Sequence, residues 1–202
     1  MALLQTETER IVLASQSPRR IELLKKAISH FEVLSSNIDE IFDSYLTPQE
    51  TVIQLSQRKA EQLTSQIDQG IIIGADSVVV IDNQILGKPK DYRESFDMLR
   101  LLSGKLHNVY TGISVIKMPA RIVVSDFEVT EVKFRDLESW EIEKYIETNR
   151  PFDKAGSYGI QDDASVFVES IHGCYYNVVG LPLTKLFLIL KRFLKNNKSH
   201  NS

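Results

Sequence analysis

Apolar residues fall in short runs separated by polar segments, and the runs alternate between strand-like and helix-like spacing. Ile11-Val12-Leu13-Ala14 is a continuous apolar run of strand length, ended by Ser15-Gln16-Ser17-Pro18; Ser17 predicts an N-cap and Pro18 the first position of a helix. Phe31 to Leu34 predicts a second strand, followed by an acidic loop with Asp39, Glu40 and Asp43. Thr47-Pro48-Gln49-Glu50 is a capping box with proline inside it, so a helix is expected from there to about Ile67, closed by Gly70. Ile71-Ile72-Ile73 and Val78 to Ile81 are β-branched runs on either side of Gly74-Ala75-Asp76-Ser77, and Asp82-Asn83 supplies a turn.

The second half continues the alternation. Asp91 with Glu94 three residues on caps a helix through Leu102, which Ser103-Gly104 closes. Strands are expected near Val109 to Lys117 and Ile122 to Phe134, joined as a hairpin through Met118-Pro119-Ala120. Leu137 to Thr148 reads as helix, Pro151 to Gly159 as a glycine-containing loop, and Val166-Phe167-Val168 as a strand. Leu183, Leu186, Phe187, Leu190, Phe193 and Leu194 recur at helical spacing. Strands alternating with helices, interrupted by a hairpin, predict an α/β protein with a mixed central sheet flanked by helices. We expect residues 1–195 to form one domain and 196–202 a polar tail.

Composition narrows the function classes. Apolar residues are 43% of the 202 and charged residues 25%, an ordinary globular balance that excludes wholesale disorder. A net charge of -3 gives no general affinity for polyanions, so no nucleic-acid partner is expected and any phosphate must be met by a local cationic cluster. The single cysteine, Cys174, has no thiol partner, which points to a reducing, cytoplasmic compartment. The N-terminal segment lacks a basic leader followed by an apolar stretch, and no apolar run reaches membrane-spanning length; neither a signal peptide nor a membrane partner is expected.

Five places can carry chemistry. At Ser15-Gln16-Ser17-Pro18-Arg19-Arg20 the free amides of a helix start coincide with hydroxyls and guanidinium groups, a combination suited to polyphosphate. A capped helix with solvated arginines fits the same residues. Asp76 follows a strand core, where a carboxylate at the carboxyl end of a strand can hold a hard divalent ion or accept a proton from water; a turn or cap aspartate is the plainer reading. Gly74 lets another backbone or a ligand approach closely. Lys59 lies one turn after Leu55 and one before Leu63, on the apolar stripe of its helix, where it either meets an anion or snorkels to solvent. Lys88, in Leu86-Gly87-Lys88-Pro89, faces the same choice, and Glu40 can join Asp76 in an oxygen-only Mg²⁺ site or remain solvated. His30, His107, His172 and His200 show no ligand spacing and read as structural or surface residues.

Together, Leu13-Ala14-Ser15-Gln16-Ser17-Pro18-Arg19-Arg20, Gly74-Ala75-Asp76-Ser77, Leu86-Gly87-Lys88-Pro89, Asp153-Lys154-Ala155-Gly156-Ser157-Tyr158-Gly159-Ile160-Gln161 and Val179-Gly180-Leu181-Pro182-Leu183 resemble the Maf family of nucleotide pyrophosphatases, in the right order and over nearly the whole chain. The resemblance implies a mixed-sheet fold with a deep cleft, related to the inosine triphosphate pyrophosphatases, a homodimer, and Mg²⁺- or Mn²⁺-dependent release of pyrophosphate from a nucleoside triphosphate. It assigns Asp76 as proton acceptor, Ser15, Arg20, Glu40, Lys59 and Lys88 to phosphate or metal, and Arg19, Ser77 and Gln161 to base selection; Asp76 with Glu40 is also expected to hold the metal. The Gly-Ile-Gln stretch resembles the branch acting on dTTP and UTP rather than the 7-methyl-GTP branch, and a glutamine amide both donates and accepts at a pyrimidine edge. This chain departs from the pattern at Ser77, where threonine is more usual, and at Asp162 and Asp163, where small residues are. Two rival readings remain: a house-cleaning pyrophosphatase for non-standard purine nucleotides, and a non-catalytic nucleotide sensor linked to cell division, through the family's association with septum formation.

Overall fold

A computed structural model describes residue 4, residues 9–38, residue 43 and residues 45–196. The acidic loop residues Asp39 and Glu40 and the tail residues 197–202 lie outside the described residues.

The apolar run Ile11–Ala14 is β1, buried along its whole length. It lies between two parallel neighbours, β2 (Glu32–Leu34) and β3 (Gly70–Ile81), with Val12 opposite Glu32 and Ala14 opposite Gly74. Burial on both faces explains why β1 reads as a continuous apolar run rather than an alternation. The sheet order is β2-β1-β3-β5-β6-β7, with β4 (Gln84–Leu86) paired antiparallel to the far end of β3. The β3–β4 turn is Asp82-Asn83, both at positive φ, as a tight primed turn requires. β5 (Leu106–Met118) and β6 (Ile122–Phe134) are sheet neighbours joined by a three-residue connection, Pro119–Arg121, which is short enough only for an antiparallel hairpin. β7 (Val168–His172) closes the edge antiparallel to β6, with a bulge at Lys133/Phe134. The mixed α/β architecture matches the expectation.

Two compact units make up the chain: Met1–Asp76 with Thr111–Glu128 and Gly180–Ser202, and Ser77–Tyr110 with Val129–Val179. In the first, α1 (Pro18–Ala27) begins at N-cap Ser17, buries Leu23, Leu24 and Ala27, and packs against α6 (Leu183–Asn196). The helix α2 (Pro48–Glu61) has the full Thr47/Glu50 capping box and lays Ala60, followed by Leu63 and Ile67, against Val12 and Ile72 of the sheet. It stops sooner than expected. Beyond Glu61 the backbone bonds span three residues, as in Leu63 N–H to Ala60 O and Gln66 N–H to Leu63 O, and the Thr64 hydroxyl donates to Glu61 O at 2.8 Å. Thr64 competes for the helical acceptor, so the apolar stripe runs on while the α-helix does not.

The second unit is built around Phe134, which touches His107, Tyr158 and Phe167 edge-on with ring centroids 4.9, 4.7 and 6.1 Å away. Helices α3 (Tyr92–Leu102) and α4 (Ser139–Glu147) pack together over this core. Asp91 caps α3 by accepting from Glu94 N–H at 2.8 Å, as the sequence implies. The segment Pro151 to Gly159 contains two 3₁₀ turns, Pro151–Asp153 and Ala155–Ser157. The strand expected at Val166-Phe167-Val168 is displaced: Val166 and Phe167 end a 3₁₀ turn over Asp163–Phe167, and β7 starts at Val168. Asp162 starts that turn by accepting from Ala164 N–H at 3.1 Å, and Phe167 is drawn into the aromatic core instead of alternating along a strand. A short helix, α5 (Tyr175–Val179), has no counterpart in the sequence reading.

Candidate active site

β3 is one strand through Gly74-Ala75-Asp76-Ser77, not two strands about a connection. Asp76 is therefore inside its own strand. Its place relative to the ladder is still terminal: β1 ends at Ala14 opposite Gly74, so Asp76 lies two residues beyond the carboxyl end of the parallel β1–β3 pairing. The segment Ser15–Arg20 leaves β1 at that same end.

Ile72, Gly74 and Asp76 alternate onto the face beneath α2. Gly74 is needed there because a Cβ would come within 2.0 Å of the Ser56 carbonyl and 2.9 Å of Ala60 N. The close approach is thus to a helix backbone. It lowers α2 onto the strand, and Lys59 reaches Asp76: the ammonium forms an ion pair with Asp76 Oδ1. Lys59 is 7% exposed and Asp76 4%, so the lysine meets an anion rather than snorkelling to solvent. A second close approach repeats the device on the neighbouring strand, where a Cβ on Gly112 would lie 2.2 Å from Val52 O.

At the start of α1, Ser17 uses no side-chain cap. Its N–H instead donates to Ser15 Oγ at 3.2 Å, and Ser15 is buried. Arg19 and Arg20 are half-buried, and Arg20 Nε donates to Gly180 O at 2.9 Å. That bond fixes one edge of a planar guanidinium and ties the Ser15–Arg20 segment to the start of the Gly180-Leu181-Pro182 turn before α6. The first unit therefore carries Ser15, Arg19, Arg20, Lys59 and Asp76. Glu40 lies outside the described residues.

The second unit carries Ser77, Lys88 and Gln161. Ser77 follows Asp76 on β3 and is half-buried; Lys88 and Gln161 are exposed. Gly156 N–H donates to Gly87 O at 3.0 Å, which joins the Lys88 loop to the segment that leads to Gln161. Ser157, at positive φ, shares a buried hydroxyl hydrogen bond with Ser95 of α3. Gln161 sits in a turn closed by Asp162 N–H to Gly159 O at 3.1 Å.

Sequence reasoning missed the groups beneath that turn. Lys154, 8% exposed, contacts the Arg150 carbonyl, Asp153 at 2.6 Å and Asp162 at 3.4 Å. The buried Tyr145 hydroxyl donates to Asp162 Oδ1 at 3.0 Å and accepts from Gly159 N–H at 3.2 Å. Burial first, then the Asp162 charge, pushes the phenol's pKa up, so it stays a donor. The sequence signals were Asp153 and Lys154 in the motif ending at Gln161, and Asp162 directly after it; nothing in them named Tyr145 as their partner.

Among the described residues no group of three or more His, Cys, Asp or Glu is placed to hold a metal ion. Asp76 offers a single carboxylate whose Oδ1 is engaged by Lys59, and a hard cation needs only one or two carboxylates when phosphate and water fill its other positions. No described helix is long and apolar enough to cross a membrane.

Residues 10–193 match the family model described as Maf-like protein. The chain is 47% identical over 184 residues to a dTTP/UTP pyrophosphatase of Carboxydothermus hydrogenoformans, covering 91% of this chain and 98% of that protein. Proteins of the same name from Thermoanaerobacter sp. and Clostridium botulinum are 50% and 46% identical, covering 91% and 88% of this chain and 96% and 94% of theirs. The Staphylococcus aureus Ham1 structure aligns with a TM-score of 0.47 at 15% identity, over 63% of this chain and 73% of that one.

Proposed function

The chain belongs to the Maf-like family, and we propose on that footing that it hydrolyses dTTP and UTP to the nucleoside monophosphate and pyrophosphate. The observation that carries the reading is the buried Lys59–Asp76 pair at the end of the β1–β3 ladder, where the cationic start of α1 also emerges. A buried pair of this kind is a weak device for stability, so its presence beside a helix start and two arginines favours chemistry. The relatives' common name, dTTP/UTP pyrophosphatase, supplies the substrate.

The residues divide the work. The amides and positive dipole end of α1, with Ser15, Arg19 and Arg20, receive the phosphate chain, and the family resemblance assigns Lys88 of the second unit to phosphate as well. Arg20, anchored through Nε to Gly180 O, presents a plane rather than a swinging group. Lys59 holds the Asp76 carboxylate by one oxygen, which fixes the orientation from which Asp76 aligns the attacking water and accepts its proton. An ordinary carboxylate is a weak base toward free water. A divalent cation, Mg²⁺ or Mn²⁺, would be held by Asp76 together with Glu40, which lies outside the described residues, and would supply acidification of water and neutralisation of phosphate charge. Gln161, with Ser77 and Arg19, is assigned to the base. The homodimer and the cytoplasmic compartment belong to the same proposal.

Pyrophosphate release from a panel of triphosphates, with Mg²⁺ and with excess chelator, tests it. Metal-dependent release with dTTP and UTP turned over at least tenfold faster than dITP and XTP is the expected result. Preference for dITP or XTP replaces it with the house-cleaning reading, and tight nucleotide binding without product replaces it with the sensor.

A further inference from the structure

The residues under the Gln161 turn form a closed arrangement that the proposed chemistry does not use. The turn runs from Gly159 to Asp162, and one phenol holds both of its ends: Tyr145 OH accepts from Gly159 N–H at 3.2 Å and donates to Asp162 Oδ1 at 3.0 Å. The other Asp162 oxygen faces Lys154 Nζ at 3.4 Å, and Asp162 also receives Ala164 N–H at 3.1 Å. Tyr145 and Lys154 are buried at 3% and 8% exposure, while Gln161 above them is exposed. Gly159 leaves room for this arrangement, since a Cβ there would sit 2.5 Å from Asp162 Oδ2 and 2.6 Å from Lys154 Cε.

We propose that Tyr145, Asp162 and Lys154 are positioning residues for base selection: they clamp the Gly159–Asp162 turn so that the Gln161 amide is presented in one place. The inference rests on the reading that Gln161 meets the base. A solvent-exposed turn with a flexible amide at its tip loses discrimination through misplacement, because a donor and an acceptor displaced together satisfy the wrong base as readily as the right one. Fixing both ends of the turn to one rigid aromatic side chain removes that freedom. Lys154, buried beneath the turn and facing both Asp153 at 2.6 Å and Asp162 at 3.4 Å, adds a charge contact that favours the Asp162 carboxylate in this place. Asp162 supplies the clamp's acid, accepting from the Tyr145 hydroxyl and from Ala164 N–H on one oxygen and facing Lys154 with the other.

The test compares Asp162→Asn and Tyr145→Phe with Gln161→Ala in the full-length enzyme, measuring kcat and KM for UTP and for CTP, a pyrimidine with the opposite pattern at its pairing edge. Both clamp variants are expected to raise KM for UTP about tenfold while kcat stays within about twofold, and to lower the UTP-over-CTP ratio of kcat/KM toward that of Gln161→Ala. Thermal unfolding of each variant accompanies the kinetics, and Tyr145→Phe, which removes one hydroxyl, serves if Asp162→Asn does not fold. A folded Tyr145→Phe or Asp162→Asn enzyme with unchanged UTP-over-CTP selectivity overturns the clamp, as does a KM rise equal for both nucleotides. Should Gln161→Ala itself leave selectivity intact, the inference falls while the hydrolase reading stands. A wild-type enzyme that does not turn over dTTP or UTP removes both.

Discussion

At the residue scale the decisive fact is that Lys59 and Asp76 are buried together. Two opposite charges taken out of water offset each other's desolvation only in part, and breaking such a buried pair by removing one member costs about 3–5 kcal/mol. Asp76→Asn is therefore predicted to act twice. Pyrophosphate release falls by about 10²-fold or more, because the proton acceptor is gone. Stability measured by urea unfolding falls by about 3 kcal/mol, because the Lys59 ammonium faces a neutral amide. The double variant Lys59→Met/Asp76→Asn is expected to regain most of that stability and none of the activity. Equal stability of the single and double variants would show that the pair carries no strong coupling. The stripe position of Lys59 was visible in the sequence, but its partner was not. Whether a lysine on an apolar stripe meets solvent or a carboxylate depends on the strand beneath the helix, and that strand is non-local.

At the element scale, Gly74 decides how low α2 sits on β3. A methyl group placed 2.0 Å from Ser56 O cannot be absorbed by a rotamer change, since the obstacle is backbone. Gly74→Ala is predicted to lift α2 at a cost of about 1–3 kcal/mol, read as a thermal midpoint lower by about 2–4 °C for each kcal/mol in a chain of this length. Because Lys59 rides on α2, kcat is expected to fall along with stability. An Ala variant as stable and active as the wild type would mean that the helix has slack at this crossing. Elements announced by local chemistry were legible: the Thr47/Glu50 box, the Asp91 cap, the Asp82-Asn83 turn and the β5–β6 hairpin. Those settled by partners were not. Nothing in Gly74-Ala75-Asp76-Ser77 says that parallel pairing on one side and antiparallel pairing further on carry a single strand through it. Likewise, Phe167 looks like strand until the aromatic cluster that attracts it is known.

For the whole molecule, the candidate site was legible in its Ser15–Arg20 and Asp76 parts because their motifs are local, whereas the support under Gln161 required residues from α4 and from the Lys154 turn to be brought together by folding. The same core sets how stability responds to pH. His107 is 1% exposed, with Nε2 at 2.8 Å from the Tyr158 hydroxyl and its ring edge-on to Phe134. Burial drives its pKa from 6.5 down to about 4, and the buried Nδ1 has no hydrogen-bond partner among the described residues. Between about pH 6.5 and about pH 4 the unfolded chain holds a proton on this ring that the folded chain does not, so falling pH favours unfolding throughout that window. A difference of this size corresponds to a loss on the order of 3 kcal/mol once the window is crossed. Carboxylates titrate over part of the same range, so the measurement is a comparison. Urea unfolding at pH 7.5 and pH 4.5 is expected to show the wild type losing about 2 kcal/mol more than His107→Gln, whose amide can still bond the Tyr158 hydroxyl but takes up no proton. Parallel losses in the two proteins would clear His107 and leave the acid sensitivity to the carboxylates.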